Sequence, residues 1–222
     1  MNPADPALSP ADYVDRILGA AAAWEIHEYD RLTIAARECL PPLALVREVF
    51  APILREAGDR WERGEFSIVQ EHMLTSTVRR HLHFALDEHN RRASGPRIAF
   101  TTLSGERHEL GSLMLAVLAS SRGVNAVYLG PDLPAVEVGR FCGKVAVGAV
   151  AVSLVSRPEV IDARRQLSDL RSMLPLSIEL WIGGRAAGSL PASDLPECAR
   201  IVTDLDELNE LIEKLPTAES RP

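Results

Sequence analysis

The sequence is short of cysteine. It has three, Cys39, Cys142 and Cys198, odd in number, far apart and without a C-x-x-C pair. That pattern excludes a disulfide framework and a thiolate zinc site, and it suits a reducing compartment. Long apolar runs are missing too. The stretch around Ile17 to Ala23 is far shorter than a membrane span, and the opening MNPADPALSP has no basic region of the kind that begins an export signal. A cytoplasmic location without a membrane partner is expected. Basic residues are outnumbered, 24 Lys and Arg against 31 Asp and Glu, for a net charge of −7 and a pI near 5.4. Binding a phosphate backbone requires clustered Lys and Arg. The nearest approach to such a cluster, Arg79, Arg80, Arg91 and Arg92, reads as a solvated helix face, so direct nucleic-acid contact is not expected.

What is present suits a globular protein. The 222 residues are 46% hydrophobic and 25% charged, enough for one large core or two small ones. Residues 9–92 read as helices. Ser9, Pro10 and Asp12 supply an N-cap hydroxyl, a proline at the first helical position and an acidic first turn, after which Tyr13, Ile17, Ala20 and Trp24 recur at helical spacing. A second helix covers Tyr29 to Cys39, and a third runs from Leu43 to Trp61 with Leu45, Val49, Ile53 and Leu54 inward. A fourth starts at a capping box of Ser67 and Gln70 and reaches about His89. Four helices with short connections predict a four-helix bundle.

After the linker Ser94-Gly95-Pro96 the period changes. Ile98 to Leu103, Ala126 to Leu129, Val145 to Leu154, Ile178 to Ile182 and Arg200 to Val202 read as short strands apolar on both faces, alternating with helices. This predicts an α/β domain over 96–215, a flavodoxin-like (Rossmann-type) doubly wound parallel sheet, ending in a frayed tail, TAESRP.

In such sheets ligands bind beyond the carboxyl ends of the strands. Three predicted strand ends carry candidate residues: Glu106-Arg107-His108-Glu109-Leu110-Gly111 (E-x-H-x-x-G) after the first, Ser153-Leu154-Val155 after the third, and Gly183-Gly184 after the fourth. A histidine on such a loop projects its ring away from the sheet, and Glu106 could bond the ring nitrogen that faces away from a metal. Gly111 would let the backbone approach a ligand, and the glycine pair would leave a slot free of side chains. On this ground alone His108 is either a metal ligand or an ordinary loop histidine.

Taken together and in order, the three pieces resemble the cobalamin-binding family of methionine synthase, corrinoid methyltransferase subunits and adenosylcobalamin light sensors, whose pattern is D/E-x-H-x-x-G, then S-x-L/T/V, then G-G. The resemblance implies that His108 is the lower ligand to cobalt with Glu106 behind it. It also implies that Ser153, Gly183 and Gly184 line the slot for the displaced nucleotide tail, with Gly111 and Val155 among the cofactor-binding residues. In the helical half Trp61 is followed at the tenth position by Glu71 and then His72. This W-x9-E-H spacing is similar to the light-sensing branch and implies that these three residues cap the upper face of the cofactor. Helical geometry predicts His72 inward, near one stripe with Ile68, Thr75, Leu82 and Leu86.

Two departures separate this sequence from the light-sensing regulators: it offers no residues for a helix-turn-helix domain, and Glu62 stands where some of them have a histidine after the Trp. The resemblance implies a non-enzymatic sensor holding adenosylcobalamin between bundle and sheet domain. Such a sensor would act as a homodimer or larger homo-oligomer and signal to a transcription factor or signalling enzyme. The alternative is a corrinoid methyl carrier, whose loop usually reads D-x-H-x-x-G-K-N. Here Glu106 takes the Asp position and Ser112-Leu113 replaces Lys-Asn, which favours the sensor. A further alternative resembles the photocobilins, which hold a bilin such as biliverdin beside the cobalamin. The remaining histidines, His27, His81, His83 and His89, suggest no shared metal site, and Trp181 reads as core.

Overall fold

A computed structural model describes residues 8–157 and 161–215. The expected C-terminal tail lies outside the described residues. The chain divides into two compact units at Ala85/Leu86, inside the fourth long helix.

The first unit is helical. Helix α1 (Pro10–Ala22) opens as its sequence requires: Asp12 N–H donates to Ser9 Oγ at 3.2 Å, and the Asp12 carboxylate accepts from Ser9 N–H at 2.9 Å. Both capping donors are satisfied reciprocally. Trp24 does not continue the stripe. It lies past the end of α1 with φ +62 and is 52% exposed, because the helix stops at Ala22 and the chain must turn at once into α2 (Ile26–Cys39). Helix α3 occupies residues 42–62 in three consecutive stretches, Pro42–Ala44, a wider π-type stretch Leu45–Phe50, and Ala51–Glu62.

The π stretch has a local cause. Pro52 has no N–H for the carbonyl four residues back and its ring crowds that carbonyl, and just before it the chain adopts the longer bond from Ala51 N–H to Val46 O. The inward face accordingly holds Leu45, Val46, Val49, Phe50, Ile53 and Ala57, while Leu54 is only half-buried.

Helix α4 (Ile68–Asn90) starts at the expected capping box: Ser67 N–H donates to Gln70 Oε1 at 2.9 Å and Gln70 N–H to Ser67 Oγ at 3.3 Å. Its buried stripe is Gln70, Leu74, Thr77, Val78, His81, Leu82, Ala85 and Leu86. Ile68 and His72 are exposed, so the predicted inward stripe through His72 is corrected. A 3.6-residue period drawn from Leu74 and Leu82 passes through His81 instead, and His72 falls on the far side.

The second unit is a five-stranded parallel sheet with strand order β2-β1-β3-β4-β5. The strands are β1 (Arg97–Leu103), β2 (Asn125–Leu133), β3 (Ala149–Ser153), β4 (Glu179–Gly183) and β5 (Ala199–Ile201). Helices α5 (Leu110–Ser120), α6 (Ala135–Lys144), α7 (Ala163–Met173) and α8 (Leu205–Lys214) alternate with them. The doubly wound α/β class read from the sequence is the class observed. Strands β1 and β3 are apolar on both faces and almost wholly buried, as strands covered by helices on each side are. Two boundaries differ by more than one residue. Strand β3 begins at Ala149 rather than Val145, because residues up to Gly148 end α6 and turn into the sheet. Strand β2 continues past Leu129 to Leu133 through two register shifts against β1. The reversal of strand order lies between β1 and β3, where an open sheet splays its connecting loops and leaves a crevice.

Candidate functional site

Glu106 is the centre of the loop after β1. Its side chain is fully buried, yet every oxygen is bonded. Oε1 accepts from His108 N–H at 3.0 Å and lies 2.6 Å from His108 Nδ1, and Oε2 accepts from the N–H groups of Val155 at 2.9 Å and Ser156 at 2.5 Å. Burial pushes this carboxyl upward, but the N–H groups of Ser156, His108 and Val155, with the His108 ring, outweigh it and hold the pKa down at about 2. An ionised Glu106 is an acceptor for the Nδ1 side of the His108 ring, and the His108 side chain is 63% exposed. An imidazole with one nitrogen held by a carboxylate is the arrangement that orients metal-ligating histidines.

The loop is clamped from a second side by residues the sequence reading missed. Asp132, at φ +60 near the end of β2, accepts from Gly105 N–H at 2.7 Å through Oδ1. Its own N–H donates to Glu106 O at 3.2 Å and Thr102 Oγ1 at 3.0 Å. Tyr128 donates its hydroxyl to Glu109 at 2.5 Å. The signal for Asp132 is the length of β2: a strand that ends at Leu129 stops short of that residue, whereas Gly130-Pro131-Asp132 reaches the same carboxyl end as the histidine.

Beside this loop a cavity of about 370 Å³ opens between α5 and α8, lined by Gly111, Leu115, Ala151, Ser153, Trp181, Gly183, Gly184 and residues 202–205 and 208 among others. Ser153 pairs in register with Gly183, so a hydroxyl and a missing side chain lie abreast. Gly184 is required as glycine: its φ is +95, and a Cβ there would stand 2.3 Å from Leu154 O. At Gly111 a Cβ would meet Ser153 Oγ at an ordinary 3.6 Å, so Gly111 serves to leave room rather than to permit a forbidden backbone. The structure thus brings Glu106, His108 and Val155 into one hydrogen-bonded set and Gly111, Ser153, Gly183 and Gly184 around one cavity.

In the helical unit the His72 Nδ1 and the Glu71 carboxylate form a short contact, and Glu71 also accepts from Thr75 Oγ1 at 2.8 Å. Trp61 is 45% exposed and the His72 side chain 70% exposed, with Ile68 and Val69 beside them in sequence exposed as well. His81 is the buried histidine, 3.5 Å from Asp30 through Nε2, and burial pushes its pKa down. His27 and His83 are exposed. Among the described residues no cluster of three or more His, Cys, Asp or Glu could hold a metal ion, and no helix is long and apolar enough to cross a membrane.

The monomethylamine corrinoid protein of Methanosarcina barkeri has the same fold, with a TM-score of 0.70 over 92% of this chain and 99% of that one, at 16% identity. Residues 13–84 match the family model described as B12 binding domain. Two curated proteins of Myxococcus xanthus are similar in sequence. The HTH-type transcriptional repressor CarH is 32% identical over 177 residues, 79% of this chain and 58% of that protein. The HTH-type transcriptional repressor CarA is 26% identical over 209 residues, 94% of this chain and 70% of that protein. The chain therefore spans less than two thirds of the length of CarH. Cobalamin binding is supported by the family match; biliverdin gains no support.

Proposed function

We propose that this chain is a non-enzymatic light sensor that binds adenosylcobalamin and signals to a protein partner. The observation that carries the reading is the His108–Glu106 pair: an exposed imidazole whose Nδ1 lies 2.6 Å from a fully buried carboxylate. The donor set and the cavity fit a corrinoid. His108 would ligate cobalt, and the cavity beneath Ser153, Gly183 and Gly184 would take the nucleotide tail, with walls that are mostly apolar and the hydroxyl residues Ser153 and Thr203 among them. When bound, the cofactor would supply a cobalt–carbon bond that visible light breaks.

The chain's own residues would do the rest. Glu106 holds the proton of His108 on Nδ1. Trp61, Glu71 and His72 would contact the upper group, and the exposed Trp61, Ile68 and Val69 are apolar surface for a ligand to cover. A ligand that differs between dark and light in its contacts with these side chains shifts the conformational equilibrium by that difference and no more. The two repressors it resembles in sequence suit an output to transcription, here through a partner, with a homodimer or larger homo-oligomer as the working form.

The test is the absorption spectrum of the whole chain loaded with adenosylcobalamin in darkness, before and after green light. A light-driven change without methyl donor or acceptor, with cofactor retention lost in His108→Ala, is expected. A spectrum that light leaves unchanged, with methyl turnover on addition of a methyltransferase, would make the chain a methyl carrier instead.

A further inference from the structure

We propose that Trp181 forms a fixed floor to the cavity and makes the chain select cobamides by the leading edge of their lower base. The inference rests on the reading of this cavity as the tail slot. Strand register sets its depth. Ser153 lies beside Gly183 at the mouth, and one layer deeper Ala151 lies beside Trp181. Alternate residues on a strand share a face, so all four look into the same space, and all four line the cavity, with Leu115 of α5 and Leu208 of α8 as side walls. The mouth layer is small on both strands, whereas the second layer is closed on β4 by an indole that is 1% exposed.

That indole is held in place. Trp181 Nε1 donates to Glu179 Oε2 at 3.4 Å, and Arg200 Nε donates to the same oxygen at 3.2 Å. Glu179 is two residues nearer the amino end of β4, so the ring is drawn away from the mouth and its one N–H is engaged there. With its one N–H engaged by Glu179, the rest of the indole is carbon and has no donor or acceptor to offer.

A cobamide base is tethered through its five-membered ring, so the six-membered ring leads into the slot. In cobalamin the leading edge carries two methyl groups, and in the adenine-containing cobamide it carries ring nitrogens and an amine. A rigid apolar floor rewards the first and strands the polar groups of the second without partners. Discrimination of this kind by an apolar floor is worth about ten-fold or more.

The experiment measures dissociation constants of the whole chain in darkness for cobalamin, the adenine-containing cobamide and tail-less cobinamide. Wild type is expected to prefer cobalamin to the adenine form by about ten-fold or more. Trp181→Gln, which puts an amide donor and acceptor at the floor, should shrink that ratio to within about three-fold and leave cobinamide binding unchanged, and Glu179→Ala, which frees the indole N–H, should shrink it less. Ala151→Leu fills the slot from the opposite strand and should weaken cobalamin while sparing cobinamide, so the proposal stays testable even if Trp181→Gln fails to fold. Equal binding of the two tailed forms by wild type would overturn it, as would ratios that do not move in the variants. If cobalamin still binds through His108 in that case, this inference alone falls; if wild type takes up no cobalamin, the proposed function falls with it.

Discussion

The two units each present a carboxylate beside a histidine, and they are built in opposite ways. In the sheet unit Glu106 is fully buried, its two oxygens are fixed by three backbone N–H groups, and only the histidine it holds reaches solvent. In the helical unit Glu71 is partly exposed, has one threonine hydroxyl besides its histidine, and both residues are carried by a single helix. The first pair is preorganised by the fold; the second is held by little except its own contact. A fixed ligand to a metal calls for the first construction, and a contact that must change with the state of a bound group calls for the second.

That contrast can be broken at several points. The largest effect is expected from Gly184→Ala, where a Cβ would meet Leu154 O at 2.3 Å on a backbone at φ +95; a loss of about 3 to 5 kcal/mol in urea unfolding is predicted from overpacking and backbone strain combined.

Next is pH. The folded pKa of Glu106, about 2, lies below the usual carboxylate value, so its contribution is fully present above that usual value and is lost as pH falls through it towards 2. The stability at stake is about 3 kcal/mol, and acid titration of unfolding free energy would show it as a decline concentrated between about pH 4.5 and pH 2.

Glu106→Gln should cost about 2 to 3 kcal/mol at neutral pH, since an amide NH₂ must face an N–H donor, and should remove this part of the acid decline. A variant with an unchanged acid profile would show that the carboxylate contributes nothing of the kind. At the small end, His72→Ala should change stability by less than about 0.5 kcal/mol because the ring is exposed, while altering the light-dependent spectrum of the loaded chain. An equally large stability loss at His72 and at Glu106 would erase the distinction between the two pairs.

Much of this was legible in the sequence because the signals were local. Ser9 with Asp12 and Ser67 with Gln70 fix helix starts within three residues, and both appear as written. The change of period near Arg97 announced the sheet, and the loop residues followed from where parallel strands end. What was not legible depends on tertiary partners. A period of 3.6 fixes the spacing of a buried stripe but not its phase, so the stripe of α4 was drawn through His72 when the packed face passes through His81. The roles of Asp132 and Ser156 arise from backbone groups brought alongside Glu106 by strands separated by tens of residues, which no short window contains. Trp181 was read as core and is buried, but its position at the back of a cavity depends on Ala151 across the register.

Gln70 has a consequence beyond starting its helix. Its Oε1 serves the first turn of α4, while its Nε2 donates to Ala21 O at 3.1 Å and to Ala22 O at 3.4 Å, the last carbonyls of α1. One amide therefore splices the head of one helix to the foot of another, immediately ahead of Glu71 and His72 in the chain. Pulling the two apart would strip both ends at once, so the head of α4 and the α1–α2 elbow, where Trp24 stands out from the surface, are tied to each other by one side chain.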